Sequence, residues 1–160
     1  MTPGADSDVS LRDLLVATLA LRREAAARYR RLAASPTLRG DAALQRLFAQ
    51  LAVMESEFAA RIERDLPDLD VGTILAERVT WTEAMRQSML EDPTTPEGAL
   101  EAARRNEGRM RAVFEHLAAT SPNESVRMRA LESALAETRH LSSIEKLVAP
   151  LRVSACGGSR

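Results

Sequence analysis

Four long stretches of this sequence repeat apolar side chains at intervals of three and four, which is the mark of a helix that buries one face. The first runs from about Val9 to Ala34, with Ser7 or Asp8 as the expected cap. Its stripe is Leu11, Leu15, Thr18, Arg22, Ala25, Tyr29 and Leu32. The second, from about Asp41 to Arg64, carries Leu44, Phe48, Leu51, Glu55, Phe58 and Ile62. The third begins near Pro96, a residue suited to a first helical turn, and carries Leu100, Ala103, Glu107, Met110, Phe114 and Leu117. The fourth follows Ser121-Pro122 with Val126, Ala130, Ser133, Glu137, His140, Ile144 and Leu147. Ala, Leu, Arg and Glu dominate and β-branched residues are sparse, so strands have little to form from.

Short Ser-Pro turns join the first helix to the second and the third to the fourth, so each pair should fold back as an antiparallel hairpin. Between the hairpins lies a segment from Asp65 to Thr95, with a short helix expected over Thr80 to Leu90 and Trp81 anchoring it to the bundle. That length can carry the chain from one end of the bundle to the other. The expected fold is all-α: an antiparallel four-helix bundle over residues 1–150, with a long crossover between helices two and three. Residues 151–160 are expected as a flexible C-terminal tail holding the sole cysteine, Cys156. A single thiol makes neither an internal disulfide nor a cysteine zinc site.

The chain has 160 residues, 45% of them hydrophobic and 28% charged, which suits one soluble globular domain. Lys and Arg number 22 against 23 Asp and Glu, leaving a formal net charge of −1. No overall field points to nucleic acid or to a membrane surface. The N-terminus lacks the basic and apolar segments of a secretory signal, and no apolar run approaches the roughly 20 residues a bilayer requires. A cytoplasmic protein is the expectation. His116 is expected on the surface of the third helix, with Phe58 and Met110 in the core. The small residues Ala17, Ala20 and Ala27 form a flank of the first helix against which a second subunit could pack as a homodimer; no other protein partner is indicated.

The chemistry lies in what interrupts the stripes. Arg22, Glu55, Glu107, Glu137 and His140 occupy core-facing positions near the middle of long helices. Buried charge is costly unless it is paired, neutralised by protonation or bound to a cation. Carboxylates from facing helices suit a divalent metal. So does Glu137-x-x-His140, whose spacing places both side chains on one helical face.

These residues also carry a family resemblance. The segment ARRNEGRMRAVFEHLA (Ala103 to Ala118) followed by ETRH (Glu137 to His140) resembles the second hairpin of the rubrerythrin-like, ferritin-like di-iron carboxylate family. TLALRREAAARYRRLA (Thr18 to Ala33) followed by ESEF (Glu55 to Phe58) aligns as the first hairpin. The halves echo each other as a duplicated hairpin does, and two hairpins joined by one long crossover is the ferritin-like arrangement. The resemblance implies two metals held by four Glu and two His. Glu55 and Glu137 match the glutamates that bridge both metals, and Glu107 and His140 match the terminal ligands of one. Arg22 stands where the other terminal Glu should be, and Phe58 where its His should be. Glu24 does not repair the loss, because two residues along a helix is about 200° around it. Replacing Glu by Arg changes the charge by two units, the charge of one divalent ion. Arg22 therefore reads as a charge replacement for the lost metal, forking onto Glu55 and another carboxylate.

Three functions follow as alternatives. The first is a protein holding one metal through Glu55, Glu107, Glu137 and His140. A carboxylate-rich set with one imidazole suits Fe or Mn ahead of Zn. The second is a metal-free structural or partner-binding bundle in which the same residues form a salt-bridge network. The third is an active non-haem di-iron oxidoreductase that reduces peroxide or oxygen or handles iron. It requires both metals, and full rubrerythrins add an electron-passing module with paired cysteines that this sequence lacks.

Overall fold

The computed structural model describes residues 9–66 and 92–156, with 149–156 as backbone alone. Helix α1 spans Leu11–Ala33, α2 Ala42–Asp65, α3 Pro96–Thr120 and α4 Glu124–Cys156, with a 3-10 turn at Pro36–Leu38 between the first two. Each start has a local cause. Ser10, rather than Ser7 or Asp8, caps α1: its hydroxyl accepts from Asp13 N at 3.0 Å and donates to Asp13 Oδ2 at 2.7 Å. Asp41 caps α2 by accepting from Leu44 N, and Thr95 caps α3 by accepting from Gly98 N, each at 3.0 Å. Pro96 occupies the first turn of α3, where its missing N–H is not needed. Asn123 Oδ1 takes the N–H groups of Ser125 and Val126 at the start of α4. Gly40, at φ +92, makes the turn into α2 in a conformation that a side chain would disfavour.

The last helix departs from expectation. Its backbone stays helical to Cys156, past Pro150 and into the stretch expected as a tail. The proline ring removes one donor from the interior of that helix without ending it. The expected helix over Thr80 to Leu90 and its anchor Trp81 lie outside the described residues.

The hairpins are antiparallel. Arg23 pairs with Glu63 and Arg30 reaches Ser56, so α1 ascends as α2 descends. Leu117 packs near Val126 while Glu107 meets His140, which does the same for α3 and α4. The ion pair of Asp65 with Arg129 brings the end of α2 to the start of α4. At the opposite end Leu44, Leu100 and Ile144 share one cluster. Helices α1 and α4 thus run one way and α2 and α3 the other. In such an up-down-down-up bundle Leu66 and Thr95 lie at opposite ends, about 35 Å apart for helices of this size.

Apolar side chains fill both ends. Phe48, Leu38, Leu51, Leu100 and Ile144 close one; Leu14, Leu21, Met110, Phe114 and Leu117 close the other, with Leu15, Leu19, Phe58 and Ile62 beside them. His116 is exposed, as expected. Ala17 is fully buried within the chain and Ala20 and Ala27 are half-buried, so the small-residue flank of α1 is not an open surface. No helix among the described residues is long and apolar enough to cross a membrane.

Phe48 is fully buried and its ring stacks on Tyr29 with centroids 5.8 Å apart. Phe48→Ala should lower the unfolding free energy by about 3–5 kcal/mol, read from urea denaturation. The exposed Val53 is the control: Val53→Ala should change stability by no more than about 0.5 kcal/mol.

Candidate metal centre

Between the two apolar ends lies a layer of charge. Arg22 comes from α1, Glu55 from α2, Glu107 from α3, and Glu137 and His140 from successive turns of α4. None is more than 2% exposed. All five side chains that the sequence singled out therefore meet at one level.

His140 Nδ1 lies 2.8 Å from Glu107 Oε2, 3.1 Å from Glu55 Oε1 and 3.6 Å from Glu137 Oε2. Glu55, Glu107, Glu137 and His140 each offer one ligand atom, and these atoms all lie within 4.8 Å of one another. A divalent ion holds oxygen and nitrogen at roughly 2.0–2.2 Å, so ligands on opposite sides of one ion sit about 4.4 Å apart. The group is therefore the right size to hold a single metal ion. Both carboxylate oxygens of Glu137 are buried without an aligned hydrogen-bond donor, although Oε1 sits 2.5 Å from Arg22 Nη2. That pair attracts by charge in a geometry too bent for a hydrogen bond. Glu24 is half-buried and is not a member of the cluster.

Arg22 does not reach for solvent. Its Nη1 donates to both oxygens of Glu55, at 3.0 and 3.2 Å, while Nη2 faces Glu137. Its guanidinium carbon lies 4.4 Å from the Phe58 ring centroid and 5.8 Å from that of Phe114. Both rings offer a π face to the cation. Phe58, expected as plain core, is buried among Leu15, Leu19 and Ile62 and also forms one wall of this cation box.

One member was missed. Tyr29 donates a short hydrogen bond to Glu107 Oε1 and is buried. It lay in an apolar stripe and read as core. The available signal was its hydroxyl, which needs a partner when buried, two turns from Arg22 on the same face of α1.

With Tyr29 included, the layer shows an internal pairing. Aligning the two hairpins matches Arg22 with Glu107, Tyr29 with Phe114, Glu55 with Glu137 and Phe58 with His140. In one half Glu107 touches Tyr29 and His140. In the other, Arg22 lies over Phe114 and Phe58, the partners of those same two residues. Glu55 and Glu137 face both halves. The acid, hydroxyl and imidazole of one half are replaced in the other by a cation between two rings.

Electrostatics keeps the layer close to neutral. Burial alone would depress the Arg22 pKa, but the charges of Glu137 and Glu55 outweigh it and hold the guanidinium ionised. Burial likewise opposes ionisation of Glu137, yet the charge of Arg22 and the nearby His140 pull it down to about 2. His140 is pushed up to about 12, its burial overcome by the hydrogen bond to Glu107 and the nearby carboxylates of Glu137 and Glu55. Glu107 is raised well above the usual carboxylate range, by burial first and then by the charge of Glu137. The Tyr29 hydroxyl is also raised, by burial and then by Glu107. His140 therefore stays cationic near neutral pH and joins Arg22 among the carboxylates, while burial favours a proton on Glu107.

Removing the fixed cation tests this balance. Arg22→Met should destabilise the metal-free protein by about 3–5 kcal/mol, because Glu55 and Glu137 are left buried and repelling. Adding Glu137→Gln should recover part of that loss in the same urea titration. Equal stability of Arg22→Met and the parent would show that the guanidinium does not balance these carboxylates.

No family model matches this chain, and no curated protein or solved structure matches it, so its function has to be read from the residues of this layer.

Proposed function

We propose that the chain is a ferritin-like, rubrerythrin-related bundle whose two-metal carboxylate site has become a one-metal site. Glu55, Glu107, Glu137 and His140 hold a single divalent ion, Fe or Mn ahead of Zn, and Arg22 stands in for the second. The observation that carries this reading is the cluster itself: four ligating side chains converge from three helices, and Glu137 has two buried oxygens without aligned donors. Three carboxylates and one imidazole are a hard, oxygen-rich set. A bound Fe or Mn ion supplies Lewis-acid and one-electron redox chemistry.

The protein's own groups have separate tasks. Glu107 and His140 serve the ion alone. Glu55 and Glu137 are shared between the ion and Arg22, as the bridging glutamates of a two-metal site are shared between metals. Tyr29 fixes the rotamer of Glu107 through its hydroxyl, the kind of outer contact that orients a ligand. The apolar ends of the bundle keep water from the layer. A full di-iron reaction is disfavoured because positions 22 and 58 carry a guanidinium and a phenyl ring in contact, and neither coordinates.

A metal-free salt-bridge network is the second reading, and charge favours it specifically. Arg22 and His140 already balance Glu55 and Glu137, provided that Glu107 keeps its proton. The two readings differ by one divalent ion against two protons, on Glu107 and His140, at the same net charge.

That difference can be measured. Protein purified without chelator should contain one equivalent of metal, lost in His140→Ala and retained in Glu24→Ala. Arg22→Glu combined with Phe58→His should raise the content to two. A metal content near zero after reloading with Fe(II) or Mn(II) supports the network instead.

Calorimetry in buffers of different ionisation enthalpy should show about two protons released per metal bound. Because His140 stays protonated through neutrality and burial favours a proton on Glu107, apparent affinity should rise as pH rises from 6 to 8. The metal-free protein runs the other way for His140. Its raised pKa contributes stability that is complete below its ordinary value near 6.5 and is lost as pH climbs toward about 12. Affinity that is flat with pH would rule out displacement of these protons.

A further inference from the structure

The outer face of α4 carries a second pattern that the metal layer does not use. Met128, Leu131 and Leu135 are 60%, 47% and 52% exposed, and they are three of the four large apolar side chains exposed among the described residues. Their spacing places them along one line of the helix. Glu124 lies on the same line one turn before them and Arg139 one turn after, and both are exposed. At 100° per residue all five fall within an arc of about 80°. Neither Glu124 nor Arg139 forms an ion pair among the described residues, whereas the neighbouring Arg129 is tied to Asp65 and Glu132.

Read along the helix, the order is acid, three apolar residues, base. Reversed, it is base, three apolar residues, acid, so the face is complementary to itself in the antiparallel sense. We propose that α4 is a docking surface for a second copy of this chain, the two α4 helices crossing antiparallel about a two-fold axis between Leu131 and Glu132. Met128 then packs on Leu135 of the second copy, and the two Leu131 side chains meet near the axis. Glu124 faces Arg139 of the second copy, and the same pair recurs on the other side. A two-fold contact uses one patch twice, and this patch carries opposite charges at its two ends. The charge pattern selects a second copy over an unrelated apolar partner, because unlike charges meet only when an identical face arrives reversed. One helix face is a small interface, so the dimer should dissociate on dilution.

Sedimentation equilibrium of the full chain from micromolar to several hundred micromolar should show a monomer–dimer equilibrium. Glu124→Arg places like charges at both ends and should raise the dissociation constant about tenfold. Glu124→Arg with Arg139→Glu restores opposite charges and should return it to within about threefold of the parent. In a Cys156→Ser background, Leu131→Cys should form an intermolecular disulfide on oxidation, while Val53→Cys, exposed on α2, should not. Positions 53, 124, 131 and 139 are exposed, so these changes retain the fold, and circular dichroism checks it. A chain that stays monomeric at the highest concentration overturns the proposal and leaves residues 67–91 or another protein as the occupant of the face. Failure of the double reversal, or equal crosslinking through Val53→Cys, overturns it as well.

Discussion

The guanidinium of Arg22 sits with no exposed surface between two buried carboxylates, and the central layer of the bundle depends on how that charge is balanced. A buried cation of this size is tolerated only when its partners lie within ion-pair distance and the remaining charges cancel. Here Glu55 takes two of its hydrogen bonds, Glu137 supplies the second counter-charge, and two aromatic rings cover it. Arg suits this place better than Lys, since a planar, weakly hydrated cation can fork onto carboxylates and lie against rings together. A buried ion-pair network is seldom more stable than a well-packed apolar layer of the same volume. Stability is therefore a weak reason for this bundle to keep five ionisable groups in its centre, and a binding task is a better one.

The internal pairing of the two hairpins strengthens that argument. A lost ligand alone would leave a vacated carboxylate or imidazole facing unmatched neighbours. Instead, the half around Arg22 is internally consistent. The cation replaces an acid, a phenyl ring replaces an imidazole, and the ring matching Tyr29 lacks a hydroxyl where no carboxylate remains to receive one. The other half keeps the acid, imidazole and hydroxyl together. The two halves thus differ in kind around the same two central glutamates.

Much of this was legible in the sequence because helical periodicity is a strong signal. Core positions recur at fixed spacing, so Arg22, Glu55, Glu107, Glu137 and His140 were visible as charged residues in apolar stripes, and burial then required that they meet. The rest depended on details that periodicity does not encode. Ser10 outcompeted Ser7 and Asp8 as the cap because Asp13 sits where a reciprocal hydrogen bond can form. Tyr29 passed as core because an aromatic ring satisfies the stripe, and its hydroxyl shows its role only once Glu107 is placed beside it. The helix past Pro150 was unexpected because an interior proline usually ends one. Ala17 looked available for a subunit contact because small size alone does not say which side of a helix is already covered.

The protonation of Glu107 and His140 bears on how such a site responds to metal. A cluster of four unpaired acids would repel itself when empty and would have to loosen or collapse. In this chain Arg22 and a protonated His140 offset the carboxylates of the metal-free layer, and burial favours a proton on Glu107 as well. Binding one divalent ion in exchange for those two protons leaves the net charge of the layer unchanged. The low-dielectric interior then presents no new electrostatic penalty to either state, and helices already in register need not move apart. A carboxylate at position 22 would upset this balance in the metal-free state. The fixed charge of Arg22 thus fits a bundle that stays folded whether or not an ion occupies the layer.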